Sequence, residues 1–493
     1  MLDKISIKAE GLKRAPFTGR MLIAGELAES VGAQWLDSIN PATEEVVGKF
    51  PRGTEDDVKR AVAAAKTAQP GWADLSVSDR AAYVNRLASA IQAQADEMLV
   101  LEVADTGNTI TGMDADIQAC VERVRYFAGL GHEMQGATIP GARNRLQFTL
   151  REPFGVVARI VAFNHPAAMA IHGIASPLMA GNSVVLKPSE QCSLSATLLA
   201  EIAKDCLPPG VLNVVTGGLE VGDALVRHKD VKRMSFVGSV TTGLAIQRSA
   251  AEVAVKSLTL ELGGKNPFIV FPDAPLDAVA KAAVDGMNFT WQGQSCSSTS
   301  RLFVHDAIYD AVVEKVAAEA AKIRIGDPFD WATQMGAMNS AQQLAKTEGY
   351  VKIGIDEGAR LVAGGRRPQG EPFKRGFWFE PTIFADVRQH MRIASEEIFG
   401  PVLSILRWSD EEEVIAHANS LEFGLTAAIW TSDITRAMTT ARRLETGYIW
   451  INGVNTNARG VPFGGCKNSG IGRERGLEEL YSYTEEKSIQ LFL

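Results

Sequence analysis

The chain has 493 residues, 46% of them hydrophobic and 22% charged, with a formal net charge of -8 and a pI near 5.6. That length provides for two or three domains with ample core. The acidic balance and the lack of any Lys/Arg run argue against a nucleic-acid partner, and no apolar run is long enough to span a bilayer.

Met1-Leu2-Asp3-Lys4-Ile5 shows no apolar signal core. Cys120, Cys192, Cys206, Cys296 and Cys466 are scattered without a CxxC pair, and the seven histidines form no HExxH cluster. The expectation is no disulfide framework, no metal site, and a reducing, cytoplasmic setting.

Residues 1–50 read as an extended arm with short strands and a turn at Asn40-Pro41-Ala42. Thr54 with Asp57 makes a capping box for a helix through Val58 to Val62, which Pro70 and Gly71 are expected to end. Further helices are expected over Ser76 to Ala95 and Ile117 to Gly131. After a turn-rich break at Gly136 to Gly141, Leu146 to Leu150 alternates apolar and polar residues, as in a half-buried or edge strand. Pattern alone allows an arm that pairs with another subunit or a plain surface hairpin.

From Gly155 to Gly264 strands and helices alternate. The strands are Gly155–Val161, Ser183–Lys187, Val211–Val215 and Arg233–Val237. A second series runs from Pro267 to about Phe463, with strands at Phe268–Phe271, Arg301–His305, Val402–Arg407 and Tyr448–Asn452. Near-continuous apolar strands between helices imply parallel sheets covered on both faces, so the fold class is α/β. Tyr481 to Leu493 reads as a final strand.

Several strand ends carry groups capable of chemistry. Cys296 lies in Trp291-Gln292-Gly293-Gln294-Ser295-Cys296-Ser297, between a helix over Ala278 to Phe289 and the strand from Arg301. A thiol at such a junction can be offered to a substrate, although free cysteines are commonly buried and inert. Glu261-Leu262-Gly263-Gly264-Lys265 closes a strand with a carboxylate beside two glycines, fit for a general base or for a structural partner of Lys265. In Phe163-Asn164-His165-Pro166, Asn164 could donate to an oxyanion or simply form a turn.

Lys187-Pro188-Ser189-Glu190 ends another strand, either as a solvated loop or as a ribose clamp. In the clamp, Glu190 would accept from a 2′-hydroxyl and repel a 2′-phosphate, favouring NAD over NADP. Phe236-Val237-Gly238-Ser239 opens a helix whose N–H groups attract a pyrophosphate, or serves as a plain cap. Glu396-Glu397-Ile398-Phe399-Gly400-Pro401 and Pro462-Phe463-Gly464-Gly465 are two further loops that pattern alone leaves open as turns.

Taken together, the chain resembles the aldehyde dehydrogenase superfamily. The matching segments are 163–166, 187–190, 236–239, 261–265, 293–296, 396–401, 462–465 and Gly472-Arg473-Glu474-Arg475-Gly476, in the family's order over nearly the whole chain. The resemblance implies two doubly wound α/β domains plus a β-arm: residues 1–134 and 154–263 for NAD, 264–470 for catalysis, and 135–153 with 471–493 as an oligomerisation arm. It implies NAD-dependent oxidation of an aldehyde to a carboxylic acid, NADP use being left open, by a homodimer or homotetramer. Cys296 would be the nucleophile, Glu261 the base for water, Asn164 the oxyanion donor, and Glu474 a supporting or proton-path carboxylate.

By the same resemblance, cofactor residues would be Ile160, Val161, Phe163, Lys187, Ser189, Glu190, Gly218, Gly222, Phe236, Gly238, Ser239 and Thr242. Leu262, Gly263, Gln343, Lys346, Glu397 and Phe399 complete that set. His165, Met169, His172, Trp291, Asn455, Asn457 and Phe463 would wall the substrate tunnel. His165 and His172 show no carboxylate partner in the sequence, and Arg459 is the one nearby cation, keeping an acidic semialdehyde open. The alternatives are a CoA-acylating dehydrogenase, which the presence of Glu261 argues against, and a non-catalytic scaffold on the same fold.

Overall fold

The computed structural model describes residues 16–493, so the first 15 residues of the expected N-terminal arm lie outside the described residues. Two large sheets dominate. The first has eight strands in the order Gly470–Ile471, Ser257–Glu261, Val231–Val237, Val156–Ile160, Ser183–Lys187, Leu212–Val214, Met21–Ile23 and Glu26–Ala28. Its five central strands are parallel, and the pairings at both edges are antiparallel. The chain passes from Val156–Ile160 to strands on one side, then crosses to Val231–Val237 on the other. That reversal of strand order opens a crevice at the carboxyl ends, where open α/β sheets take ligands.

Side-chain alternation divides the core around this sheet. Val157, Val161, Val184 and Leu186 pack among the helices Pro166–Met179, Leu194–Lys204 and Ile110–Leu130. Val156, Ala158, Ile160 and Val185 face the helices Glu55–Ala73, Leu219–Arg227 and Val240–Ala251. With both faces covered, the strands can be apolar throughout, which is why they read as continuous runs.

The second sheet has seven strands in the order Arg360–Ala363, Thr382–Val387, Val402–Trp408, Arg301–His305, Pro267–Val270, Thr426–Trp430 and Tyr448–Ile451. All of its pairings are parallel except that of Arg360–Ala363 with its neighbour. A separate three-stranded sheet joins Thr484–Phe492 to Arg145–Pro153 in unbroken antiparallel register, with Thr138–Ile139 on the far side. The final strand expected from the tail is therefore present.

The capping box forms as read: Thr54 Oγ1 accepts from Asp57 N–H, and Asp57 accepts from the Thr54 N–H at 3.0 Å. Pro70 does not end that helix, which runs on to Ala73. Trp72 anchors the last turn from inside, its Nε1 donating to the Leu178 carbonyl at 2.9 Å, so tertiary packing outweighs the hydrogen bond that Pro70 cannot make. The helix expected from Ile117 starts at Ile110, capped by Thr109. A further helix fills Ala95–Thr106.

Candidate active site

The loop Gln292–Ser300 that precedes the strand Arg301–His305 is tied down by backbone. Gln292 and Gly293 both take positive φ (53° and 68°), and a Cβ on Gly293 would collide with the Gly400 carbonyl. Glycine is the residue that tolerates both demands. Asn266 Nδ2 donates to the carbonyls of Cys296 at 2.7 Å and Ser298 at 2.8 Å, while its Oδ1 accepts from Thr426 N–H. Asn164 Nδ2 donates to the Gln294 carbonyl at 2.9 Å. Cys296 is thereby held at the meeting point of two clefts.

One cleft, of about 580 Å³, brings Cys296 together with Asn164 and Glu261. Phe163, Gly238, Ser239, Leu262, Gly263, Gln343, Lys346, Glu397 and Phe399 line the same space. The other, of about 1470 Å³, shares Cys296, Glu261 and Met169 with it and is walled by His165, His172, Trp291, Asn455, Asn457, Phe463 and Glu474.

The remaining expected cofactor residues stand behind or beside these walls. Ile160 and Val161 are buried at the end of their strand, and the Phe236 ring packs against Gly238. Thr242 N–H caps onto Ser239 Oγ at 3.2 Å. Lys187, Ser189, Glu190, Gly218 and Gly222 do not line the 580 Å³ cleft. Lys187 closes its own strand, donates to the Pro188 carbonyl at 2.9 Å and lies 3.5 Å from Glu190. A Cβ on Gly222 would touch the Lys187 side chain.

The three central groups differ in electrostatics. Burial, and then the charge of Glu474, push the Glu261 carboxyl well above the usual range, and neither of its oxygens has a hydrogen-bond partner. Burial and then the Glu261 charge push the Cys296 thiol up to about 12. The resting sulfur is therefore a thiol, and the Glu261 carboxyl, without a hydrogen-bond partner, shares its cavity. Glu397, also raised by burial, accepts from Gly264 N–H at 3.0 Å.

Glu474 is not a free carboxylate. It pairs with the buried Arg159 and accepts from Ser235 Oγ at 3.1 Å, and Arg159 holds it below the usual range against the effect of burial. Arg159 reaches it past Gly173, where a Cβ would strike the guanidinium.

Four features were missed in the sequence. His165 has a carboxylate partner after all: its Nδ1 lies 2.6 Å from Asp116, on the helix Ile110–Leu130, and its ring sits 5.0 Å from Trp291. Arg459 is not the cation of the cleft, because it turns to Glu122 on the exposed surface. Arg123 and Arg475 line the cleft instead. Asn266, which fixes the thiol loop, carried no signal beyond its place after Lys265. Arg159 did carry one, as a lone charge within the apolar strand Val156–Ile160.

A family model for the aldehyde dehydrogenase family matches residues 28–489. The aldehyde dehydrogenase tropH of Talaromyces stipitatus is 43% identical over 464 residues, which are 93% of this chain and 90% of its own length. An aldehyde dehydrogenase from Bacillus cereus, solved as its NAD+ complex, is 38% identical and superposes with a TM-score of 0.94, covering 99% of this chain and 98% of that one. The AldA indole-3-acetaldehyde dehydrogenase of P. syringae, solved with NAD+ and IAA, is 36% identical with a TM-score of 0.96 over the full length of both chains. The chain belongs to the aldehyde dehydrogenase family and has its α/β fold.

Proposed function

We propose that this chain oxidises an aldehyde to a carboxylic acid with NAD as acceptor, through a covalent bond to Cys296. The observation that carries the reading is the convergence of Cys296, Asn164 and Glu261 on one cleft of about 580 Å³. The sulfur, its proton released to solvent, attacks the carbonyl carbon as the thiolate, which leaves the unpartnered Glu261 free for the later step. The oxyanion that forms is held by the second Asn164 amide hydrogen and the Cys296 N–H, both fixed by the loop bonds described above. Once the carbon is oxidised to a thioester, Glu261 takes a proton from water, and the hydroxide displaces the sulfur.

The residues present fit a dinucleotide. Gln343 Oε1 is buried without a partner in the cleft, and the cap at Ser239 opens a helix at the sheet's crevice. When bound, NAD supplies the hydride acceptor. Lys187, Ser189 and Glu190, beside Gly218 and Gly222, would hold the adenosine ribose, and Gly238, Ser239 and Thr242 the pyrophosphate. Ile160, Val161 and Phe236 would support them. Glu397 would take the second ribose, with Phe163 and Phe399 beside the ring and Leu262, Gly263, Gln343 and Lys346 completing the wall. The described residues of the 1–134 segment, with 154–263, then form the cofactor domain and 264–470 the catalytic domain.

The test is an aldehyde panel read by absorbance of the reduced cofactor, run with NAD and NADP in parallel. Turnover with NAD, with Glu190→Ala raising kcat/KM for NADP relative to NAD, is the expected result. No oxidation of any aldehyde with either cofactor would sink the reading.

The three-stranded sheet leaves Ile139, Leu146, Leu150, Leu491 and Phe492 exposed, and its outer strand Thr484–Phe492 presents a long unpaired edge. We infer that residues 135–153 and 471–493 join subunits there. Sedimentation velocity should show a dimer or tetramer that loses association when residues 484–493 are removed; a monomeric full-length chain would refute it. All five cysteines are unpaired, which suits a reducing compartment such as the cytoplasm.

A further inference from the structure

The 1470 Å³ cleft on the substrate side of Cys296 contains more charge than the reaction uses. Its carboxylates are each accounted for. Asp116 is engaged by His165, Glu474 by Arg159 and Ser235, and Asp285 by Lys281 on the helix Leu276–Gly286. Burial favours the protonated form of Glu261. Two guanidinium groups remain, Arg123 and Arg475, and among the described residues neither forms an ion pair.

Arg475 is the more constrained of the two. Its backbone sits at φ 74°, a left-handed conformation that a non-glycine residue holds only when its surroundings impose it. Glu479 imposes it by accepting from the Arg475 N–H at 2.6 Å. The guanidinium then lies 4.3 Å from the centre of the Phe463 ring, and its Nε is buried with no hydrogen-bond partner. Arg123 rises from the helix Ile110–Leu130 into the same cleft, where its charge works against the protonated form of Arg475. His172, which lines the same cleft, is held neutral by desolvation and by the charges of Arg123, Arg159 and Arg475. Two like charges that line one cleft, neither held in an ion pair and only partly offset by the Glu474 charge, favour the entry of an anion.

We propose that the aldehydes preferred by this site carry a carboxylate, which Arg123 and Arg475 bind while Cys296 attacks the aldehyde carbon. Trp291, His165 and Phe463 supply flat walls for a ring or chain between the two ends. The inference rests on the aldehyde-oxidising reading and names the substrate class for it.

The experiment compares matched aldehydes with NAD: 4-formylbenzoate against 4-methylbenzaldehyde, and 4-oxobutanoate against butanal. kcat/KM should favour the anionic member of each pair. The ratio within each pair should fall about 10- to 100-fold in Arg123→Gln, the size expected for losing a hydrogen bond to a charged group. It should fall further in the Arg123→Gln/Arg475→Gln double variant, and in high salt, which screens the attraction. A ratio at or below one that Arg123→Gln leaves unchanged overturns the inference while leaving the aldehyde oxidation standing. Calorimetric titration with benzoate and with benzyl alcohol reads the same site without chemistry. Benzoate binding that is lost in the double variant supports the inference even if no aldehyde is turned over. Benzoate binding no tighter than benzyl alcohol overturns it.

Discussion

Cys296→Ala should lower kcat/KM for aldehyde oxidation by roughly 10⁴- to 10⁶-fold, the scale on which loss of a covalent nucleophile is felt. The loss should be chemical and not structural. The loop that carries the thiol is held through main-chain carbonyls: Asn266 takes those of Cys296 and Ser298, and Asn164 takes that of Gln294. No hydrogen bond from another residue to the Cys296 sulfur contributes to that scaffold among the described residues. The variant should therefore melt within a degree or two of the parent while failing in the absorbance assay. Turnover within tenfold of the parent would place the nucleophile elsewhere. Cys466 is the other cysteine that is not fully buried, so it would be the next residue to replace.

Glu261→Gln should give a different failure. Acylation of Cys296 should still deliver one equivalent of reduced cofactor per site, followed by a stall. Steady-state turnover should fall about 10²- to 10⁴-fold, as for a general base removed. In the parent, the base works only as the carboxylate, and its pKa lies well above the usual range because of burial. Deacylation should therefore rise with pH through that native pKa, and this limb should vanish in the glutamine variant.

Stability should move in the opposite sense to activity. The native state holds the Glu261 proton more tightly than the unfolded chain does, so ionisation of Glu261 lowers stability as pH climbs from the ordinary carboxylate range towards the native pKa. Glutamine has no such loss. Thermal melts should show Glu261→Gln gaining on the parent by about 1.4 kcal/mol per pH unit within that window, with no pH-dependent difference below it. An unchanged steady-state rate, or a stability gap independent of pH, would remove Glu261 from the role of base.

What was readable from sequence was whatever depends on neighbours along the chain. The capping box at Thr54 and the strand Ser183–Lys187 are each set by residues a few positions apart. The helix Ala95–Thr106 escaped because every residue from Met98 to Thr106 is buried, Glu102 and Asp105 included, so it shows no amphipathic stripe. The strand Thr426–Trp430 contains Ala427 and Ala428, which lack the β-branched signature, and its place in the sheet comes from pairing on both sides. In the site, Cys296, Glu261 and Asn164 each allow a structural reading from their neighbours alone, and only the ordered set of motifs singles them out. Asp116 and Arg123 are not singled out, since charged residues on the helix Ile110–Leu130 look like a solvated face until the fold brings His165 and Arg475 opposite them.

The short strand Gly470–Ile471 has a consequence for how the protein is made. It completes the edge of a sheet whose other strands all lie before residue 262, and the turn that follows it delivers the only carboxylate, among the described residues, that forms an ion pair with Arg159. During synthesis, nearly the whole first sheet leaves the ribosome some two hundred residues ahead of that counterion. Closing Arg159 into the interior before then would strand a bare cation, a penalty of roughly 3–5 kcal/mol. The nascent domain should thus stay loosely packed, and chaperone-accessible, until the C-terminal segment threads back.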